Sequence, residues 1–469
     1  MVTSRREFVK TTGMLTALTT LGLSGTLCKP SGSKNKMLRP VKITDVDSNF
    51  EREPLVRPFG FKGGYMSEIW QTAAWMQSDS GNQKVGLCSQ SVLWSDASIF
   101  ASYSESGGNA LMYVMTERAL QMVRGITYRT PIDLLESILE DVYNYGVHIT
   151  GNNDLRKTFA LNALVGLDNV AWLLFAAENN ITDFDELIPD QYQPALSHHH
   201  KKVASIPLMA YTIPIEEIRQ ATEKGYFFMK IKIGQPGTQE EMLEKDKARL
   251  TAIHEAIGHL TTPYTRDGKL PYYFDANGRY EKKETLLKLL DHAKKIKAFD
   301  QIAIIEEPFP EKADIEVGDI GVRIAADESA HTDKDALERI QMGYNAIALK
   351  AIAKTLSMTM KIAKVAHENN VPCFCADLTV NPILIDWNKV VAARLSPFPG
   401  LGLGLLETNG HQNYRNWETM FSYHPCNGAS WTKTKNGVFE LNEDYYEKSG
   451  GIFMDSDHYM TMFRDDNHS

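Results

Sequence analysis

The chain has 469 residues, 43% hydrophobic and 23% charged, an ordinary globular composition and more than one hydrophobic core usually supports. A formal net charge of −9 without a basic stripe argues against a nucleic-acid partner, which selects a basic surface. Five cysteines in so long a chain imply no disulfide framework.

Residues 1–30 read as an export signal rather than as fold. Ser4-Arg5-Arg6-Glu7-Phe8-Val9-Lys10 is a twin-arginine pattern, and a mildly apolar stretch runs from Met14 to Leu27. That stretch is too short and too rich in Thr and Gly to span a membrane, so a periplasmic protein without a membrane span is expected. Cys28 is a candidate lipid-anchored residue, although Gly25-Thr26-Leu27 matches a lipobox poorly. The Ser/Gly/Pro-rich residues 31–45 read as a linker.

An α+β domain is expected over 46–195. Ile69-Trp70-Gln71-Thr72-Ala73-Ala74-Trp75-Met76 runs into the turn Ser78-Asp79-Ser80-Gly81-Asn82 and returns through Val85-Gly86-Leu87-Cys88, a hairpin signal. Residues 110–180 are helical, with Leu161, Leu164, Leu167, Val170 and Leu173 at helical spacing. His198-His199-His200 is expected in a solvated connector, because no carboxylate or cysteine cluster flanks it.

From Ile206 apolar strands alternate with amphipathic helices, predicted over 238–257, 280–298 and 358–369. Four strands end in charges: Phe228-Met229-Lys230-Ile231-Lys232-Ile233, Tyr272-Tyr273-Phe274-Asp275-Ala276-Asn277, Ile304-Ile305-Glu306-Glu307-Pro308 and Ile324-Ala325-Ala326-Asp327-Glu328. Ala346-Ile347-Ala348-Leu349-Lys350 adds a fifth. Such charges are costly to bury unless paired or metal-bound, so a shared polar site at one end of a parallel barrel is expected over 196–400. A doubly wound sheet is the competitor, but no glycine-rich phosphate loop follows the first strand. Cys373 and Cys375 alternate on one apolar strand and read as buried, inert thiols. Residues 401–469 are expected to return and pack on the N-terminal domain.

Each of Asp275, Glu306 and Asp327 alone could cap the helix after it. Three in register point instead to a hard divalent cation, Mg²⁺ before Zn²⁺ and with Mn²⁺ as an alternative, because the ligands are all oxygen. Lys230 and Lys232 are two apart on a strand and point the same way. Burial, a neighbouring ammonium and a metal ion should lower their pKa and make a general base, with Lys350 reaching the cavity from the other side.

K-x-K, D-x-N, E-E-P, A-D-E-S and a lysine closing the next strand together resemble the enolase superfamily, in the lysine layout of its muconate-lactonizing subgroup. The resemblance covers about residues 45–410, and the hairpin at Trp75–Gly81 resembles that superfamily's capping domain. It implies an α/β fold: a modified TIM barrel with an α+β capping domain built from the N-terminal region and the C-terminal segment. It also implies removal of the proton α to the carboxylate of a small-molecule substrate. Lys232 is then the base, Lys230 tunes it, and Lys350 stands on the opposite face. Asn277, Glu328, Asp377 and Thr379 would bind substrate or support the site. Dipeptide epimerases carry D-x-D where this chain has Asp377 and Thr379, and the subgroup's K-x-G-G is absent after Lys350. Racemisation or epimerisation of an amino-acid derivative leads. A dehydratase or cycloisomerase of an acid sugar or hydroxy acid is second, and an inactive binder on the same fold is third. A homo-oligomer is compatible with all three.

Overall fold

The computed structural model describes residues 38–62 and 64–464, so the expected export signal lies outside the described residues. The first strand, β1 (Val41–Phe61), begins inside the stretch read as a linker. It pairs antiparallel with β2 (Gly64–Ser78), which pairs with β3 (Gln83–Gln90), while the short β4 (Thr127–Tyr128) joins the other edge of β1. The β2–β3 hairpin turns through Ser78–Asn82, where Glu178 accepts hydrogen bonds from the Ser78 hydroxyl and from Asn82 Nδ2.

Helices Ala97–Val123, Pro131–Thr150 and Lys157–Asn179 cover this sheet. The third is apolar on all sides, and its long apolar window is entirely buried, as befits the core helix of a folded domain. It approaches β3 so closely that a Cβ on Gly86 would lie 2.2 Å from the Gly166 carbonyl, which is why a strand carries a glycine there.

The second sheet has eleven strands and is mixed. Its parallel series is β5 (Lys202–Ile206), β6 (Leu208–Met209), β7 (Met229–Lys232), β8 (Tyr272–Asp275), β9 (Ile302–Glu306), β10 (Ile324–Ala326), β11 (Ala346–Leu349), β12 (Cys373–Cys375) and β13 (Gly404–Glu407). β5 and β6 are one run interrupted at Pro207: the first half pairs with β13 and the second with β7, so the two ends of the series meet there. The result is a curled sheet of the modified TIM-barrel type with an antiparallel capping domain. β13 lies just past residue 400, the barrel boundary read from the sequence.

Helices between these strands follow the predicted periodicity with trimmed ends. The helix Gln239–Ile257 starts at a capping box in which Thr238 and Glu241 satisfy each other's backbone N–H groups. Lys283–Lys295 and Leu356–Glu368 correspond to the other two. Beyond β13 the chain touches both domains. β15 (Val438–Glu440) extends the barrel sheet antiparallel to β5 and carries β14 (Thr434–Lys435) antiparallel on its outer edge, whereas Asp455 pairs with Lys84 and His458 with Glu51 of the cap.

One buried acid joins cap to barrel. Asp168 accepts from the Ser357 backbone N–H at 3.0 Å and from its hydroxyl at 2.5 Å, and Trp172 Nε1 donates to the same hydroxyl. Burial pushes its carboxyl up to about 7, against the lowering effect of these bonds. The folded-state pKa therefore lies above that of the unfolded chain, which gives up the proton first. Stability from this group is complete below about pH 4 and is lost as pH rises towards 7, by on the order of 4 kcal/mol. Asp168→Asn should flatten that slope, measured by urea unfolding at pH 5 and pH 8. An unchanged slope would assign the pH dependence to other groups.

Candidate active site

The charged ends of β7, β8 and β9 lie side by side, with Lys232 opposite Asp275 and Asp275 opposite Glu306. Lys230 sits one pleat deeper, and its Nζ is 2.9 Å from Asp275 Oδ2, 2.9 Å from Glu306 Oε1 and 3.2 Å from Glu407 Oε2. Lys232 Nζ donates to Asp275 Oδ2 and Asn277 Oδ1, both at 2.6 Å. Across the barrel, Lys350 Nζ lies 2.5 Å from Asp327 Oδ2, and Lys354 Nζ donates to the Asp327 backbone carbonyl at 2.6 Å. Tyr273 donates its hydroxyl to Glu306. Glu307 faces away from the cavity and accepts from the N–H groups of Asp327 and Ser329, which orients the strand-end turn.

The cap closes this end of the barrel. Phe59, Phe61, Met66, Ser91 and Trp94 line a cavity of about 40 Å³ together with Lys230, Lys232, Asp275, Asn277, Asp327, Lys350, Asp377, Thr379, Glu407 and Asn409. Lys232 faces the Phe61 ring at 5.8 Å, and Lys350 faces the Trp94 ring at 4.4 Å. A larger neighbouring cavity of about 370 Å³ shares Phe59 and Leu208 with the first.

Seven acids (Asp275, Glu306, Glu307, Asp327, Glu328, Asp377, Glu407) and five lysines (Lys62, Lys230, Lys232, Lys350, Lys354) make up this cluster, an excess of two negative charges when all are ionised. The strain shows in the acids. Burial pushes Glu306 up to about 8, and the Lys230 ammonium, shared among three carboxylates, offsets it only in part. Burial also raises Glu307 to about 7, with Glu328 adding to the effect, and Asp377 to about 7, with Glu407 adding. Burial opposes ionisation of Asp327 as well, but Lys350 and Lys354 outweigh it and hold it at about 2.

Lys230 behaves contrary to the expectation of a lowered pKa, and Lys350 is shifted in the same upward direction. Burial disfavours both ammonium groups, yet Asp275, Glu306 and Glu407 hold Lys230 well above the usual lysine value, and Asp327 holds Lys350 above it. The reason is pairing: Lys230 meets three carboxylates, where the expectation placed it beside another lysine and a metal ion.

These residues suit a hard divalent ion. Oxygens of Glu306, Asp327 and Glu328 lie within 4.8 Å of one another; among the described residues Glu328 Oε2 is buried without a hydrogen-bond donor, and Asp327 Oδ1 is buried with only the Lys354 ammonium near it, at 3.3 Å. Asp275 lies beside this trio, its Oδ2 taken up by Lys230 and Lys232.

All the residues singled out in the sequence come to this one end of the barrel, with different roles. The Asp377 carboxylate accepts from the backbone N–H groups of Leu378, Val380 and Asn409, so it braces a turn. Thr379 borders the cavity with a left-handed backbone, φ 58°. Sequence reasoning missed Lys62, Lys354 and Glu407. Glu407 carried a readable signal, an acid ending the apolar run Gly404-Leu405-Leu406. Elsewhere, His200 is buried rather than solvated, its Nε2 3.0 Å from the Leu395 carbonyl. Cys373 and Cys375 are buried free thiols, and burial pushes Cys373 up to about 12.

A family model described as enolase C-terminal domain-like matches residues 215–398. Among solved structures, a dipeptide epimerase from Enterococcus faecalis V583, complexed with Mg and the dipeptide L-Leu-L-Tyr, is similar at 17% identity and TM-score 0.59, over 86% of this chain and 98% of that one. An N-succinyl Arg/Lys racemase from Bacillus cereus ATCC 14579 is similar at 16% identity and TM-score 0.56, over 80% and 89%. An L-talarate dehydratase from Polaromonas sp. JS666, complexed with Mg and L-glucarate, is similar at 15% identity and TM-score 0.57, over 86% and 93%. No curated relative matches the chain by sequence. At these identities the structures speak for the fold alone, and the family match speaks for residues 215–398, which are similar to an enolase C-terminal domain.

Proposed function

We propose that this protein removes the proton α to a substrate carboxylate and returns one, as a racemase or epimerase of an amino-acid derivative. One observation carries the reading. Lys232 ends the second strand of the barrel and Lys350 follows the sixth, so two lysines line one cavity from opposite walls. A carbon held between them offers one face to each. Asp275 and Asn277 orient the Lys232 ammonium, and Asp327 orients that of Lys350. Each lysine must be neutral to accept the proton. Phe61 and Trp94 exclude water above the two nitrogens. Glu306, Asp327 and Glu328 would hold Mg²⁺ or Mn²⁺, with Asp275 beside them, and the bound ion supplies positive charge where the substrate carboxylate gains negative charge.

The substrate class follows from two features. The 40 Å³ cavity admits only the reacting end, while the neighbouring 370 Å³ cavity has room for an acyl group or side chain. Asp377, saturated by backbone donors and partnered by Thr379 rather than a second acid, is poorly placed to bind a free substrate ammonium. An N-acylated amino acid therefore fits better than a free dipeptide. A hydroxy acid undergoing dehydration, as the talarate dehydratase likeness suggests, is the second reading. Incubating N-acyl amino acids and hydroxy acids in D₂O with Mg²⁺ separates the readings by NMR. Deuterium at the α-carbon with loss of optical activity supports the epimerase, loss of water supports the dehydratase, and no change in any carboxylate leaves a binder.

We also propose export by the twin-arginine route, on the Ser4–Lys10 pattern. Replacing Arg5 and Arg6 with lysine should retain the protein in the cytoplasm, and unchanged delivery would refute the proposal.

A further inference from the structure

Each acid of the closely spaced trio meets a different lysine. Glu306 has Lys230 at 2.9 Å, Asp327 has Lys350 at 2.5 Å, and Glu328 has Lys62 at 2.9 Å. The first two lysines come from barrel strands. The third comes from the cap, immediately after the last residue of β1. Its side chain is 9% exposed, and its Nζ also donates to the Trp94 carbonyl at 3.2 Å. Lys62 has φ 48°, a left-handed backbone that costs a non-glycine residue roughly 1 kcal/mol. Such strain at a side chain aimed into a polar cluster marks a position kept for its side chain. On the other side, Glu328 Oε1 is held by Lys62 and by Asn277 Nδ2, while Oε2 is buried with no donor among the described residues.

We infer that Lys62 is a positioning residue that occupies Glu328 for the cap and competes there with the divalent ion. The inference rests on the reading that this cluster binds such an ion. An ammonium within hydrogen-bond reach of a candidate ligand repels a second cation strongly, because neither charge is screened by water there. Metal loading and the cap's ionic contact with the barrel then oppose each other through one carboxylate, and by linkage each weakens the other. A purely structural ion pair makes a different prediction, since its loss would loosen the cap without helping the ion.

Mn²⁺ binding to metal-free full-length protein, followed by EPR, tests this with no substrate present. Thermal unfolding without metal is measured in parallel. Lys62→Met should unfold at lower temperature, having left Glu328 unpaired, and yet bind Mn²⁺ at least about tenfold more tightly. Lys62→Arg, which keeps the charge, should bind Mn²⁺ like the wild type. Unchanged or weaker Mn²⁺ binding by a folded Lys62→Met protein would overturn the inference while leaving the metal site standing. A wild-type protein that binds no Mn²⁺ would overturn both, and the two failures are told apart by the wild type alone.

Discussion

Asp327→Asn should lose Mn²⁺ binding and slow α-proton exchange by about 10³-fold or more, the equivalent of several kcal/mol of charge stabilisation at the reacting carboxylate. Asp327 is at the centre of the network. Its Oδ2 holds Lys350, its backbone carbonyl holds Lys354, and its buried Oδ1 has the same Lys354 ammonium 3.3 Å away. Asparagine keeps the shape and one acceptor oxygen but removes the charge. The change therefore also strips the counter-ion from two buried lysines, which costs roughly 3–5 kcal/mol of stability. Circular dichroism and thermal unfolding must accompany the kinetics, so that slow exchange is measured on folded protein. EDTA should give the same loss in the wild type, reversed by Mg²⁺ or Mn²⁺. Full exchange activity in metal-free protein would remove the reason for the acid cluster and with it the proposed chemistry.

Much of this site was legible because burying charge is expensive. A lysine or carboxylate ending an apolar strand stands out against its own neighbours, and five such strands at one βα spacing can only converge. The β2–β3 hairpin and the helix Gln239–Ile257 were legible through turn and capping chemistry. β1 was not: its burial follows no alternation, and Pro54 and Pro58 interrupt it where the register shifts. Lys62 was invisible because a lone lysine beside a glycine turn looks like any solvated loop residue. The upward shift of Lys230 is not legible in the sequence for a related reason. Sequence shows which charges converge but not which pair, and pairing decides whether a buried lysine gains or loses its proton.

Lys232→Ala and Lys350→Ala should each abolish exchange from one stereoisomer and spare it from the other. The expectation follows from topology more than from any distance. Three strands separate β7 from the strand preceding Lys350 either way round an eight-strand circuit, so the two ammonium groups approach a bound α-carbon from opposite faces. Each stereoisomer turns its α-hydrogen towards one wall only. Loss of a general base typically costs about 10²–10⁴-fold, and Phe61 and Trp94 leave little room for a water to deputise. Full turnover needs both lysines, so both variants should lose net epimerisation while keeping half of the exchange reaction. That split, read by NMR from each stereoisomer separately in D₂O, is something a general loss of structure cannot produce. Unfolding or metal loss would slow both directions together. If Lys350→Ala instead leaves exchange from both stereoisomers intact, Lys350 serves only to balance Asp327. A single base at Lys232 would then favour elimination of a β-hydroxyl over epimerisation, and the hydroxy-acid dehydratase becomes the better reading of the same cavity.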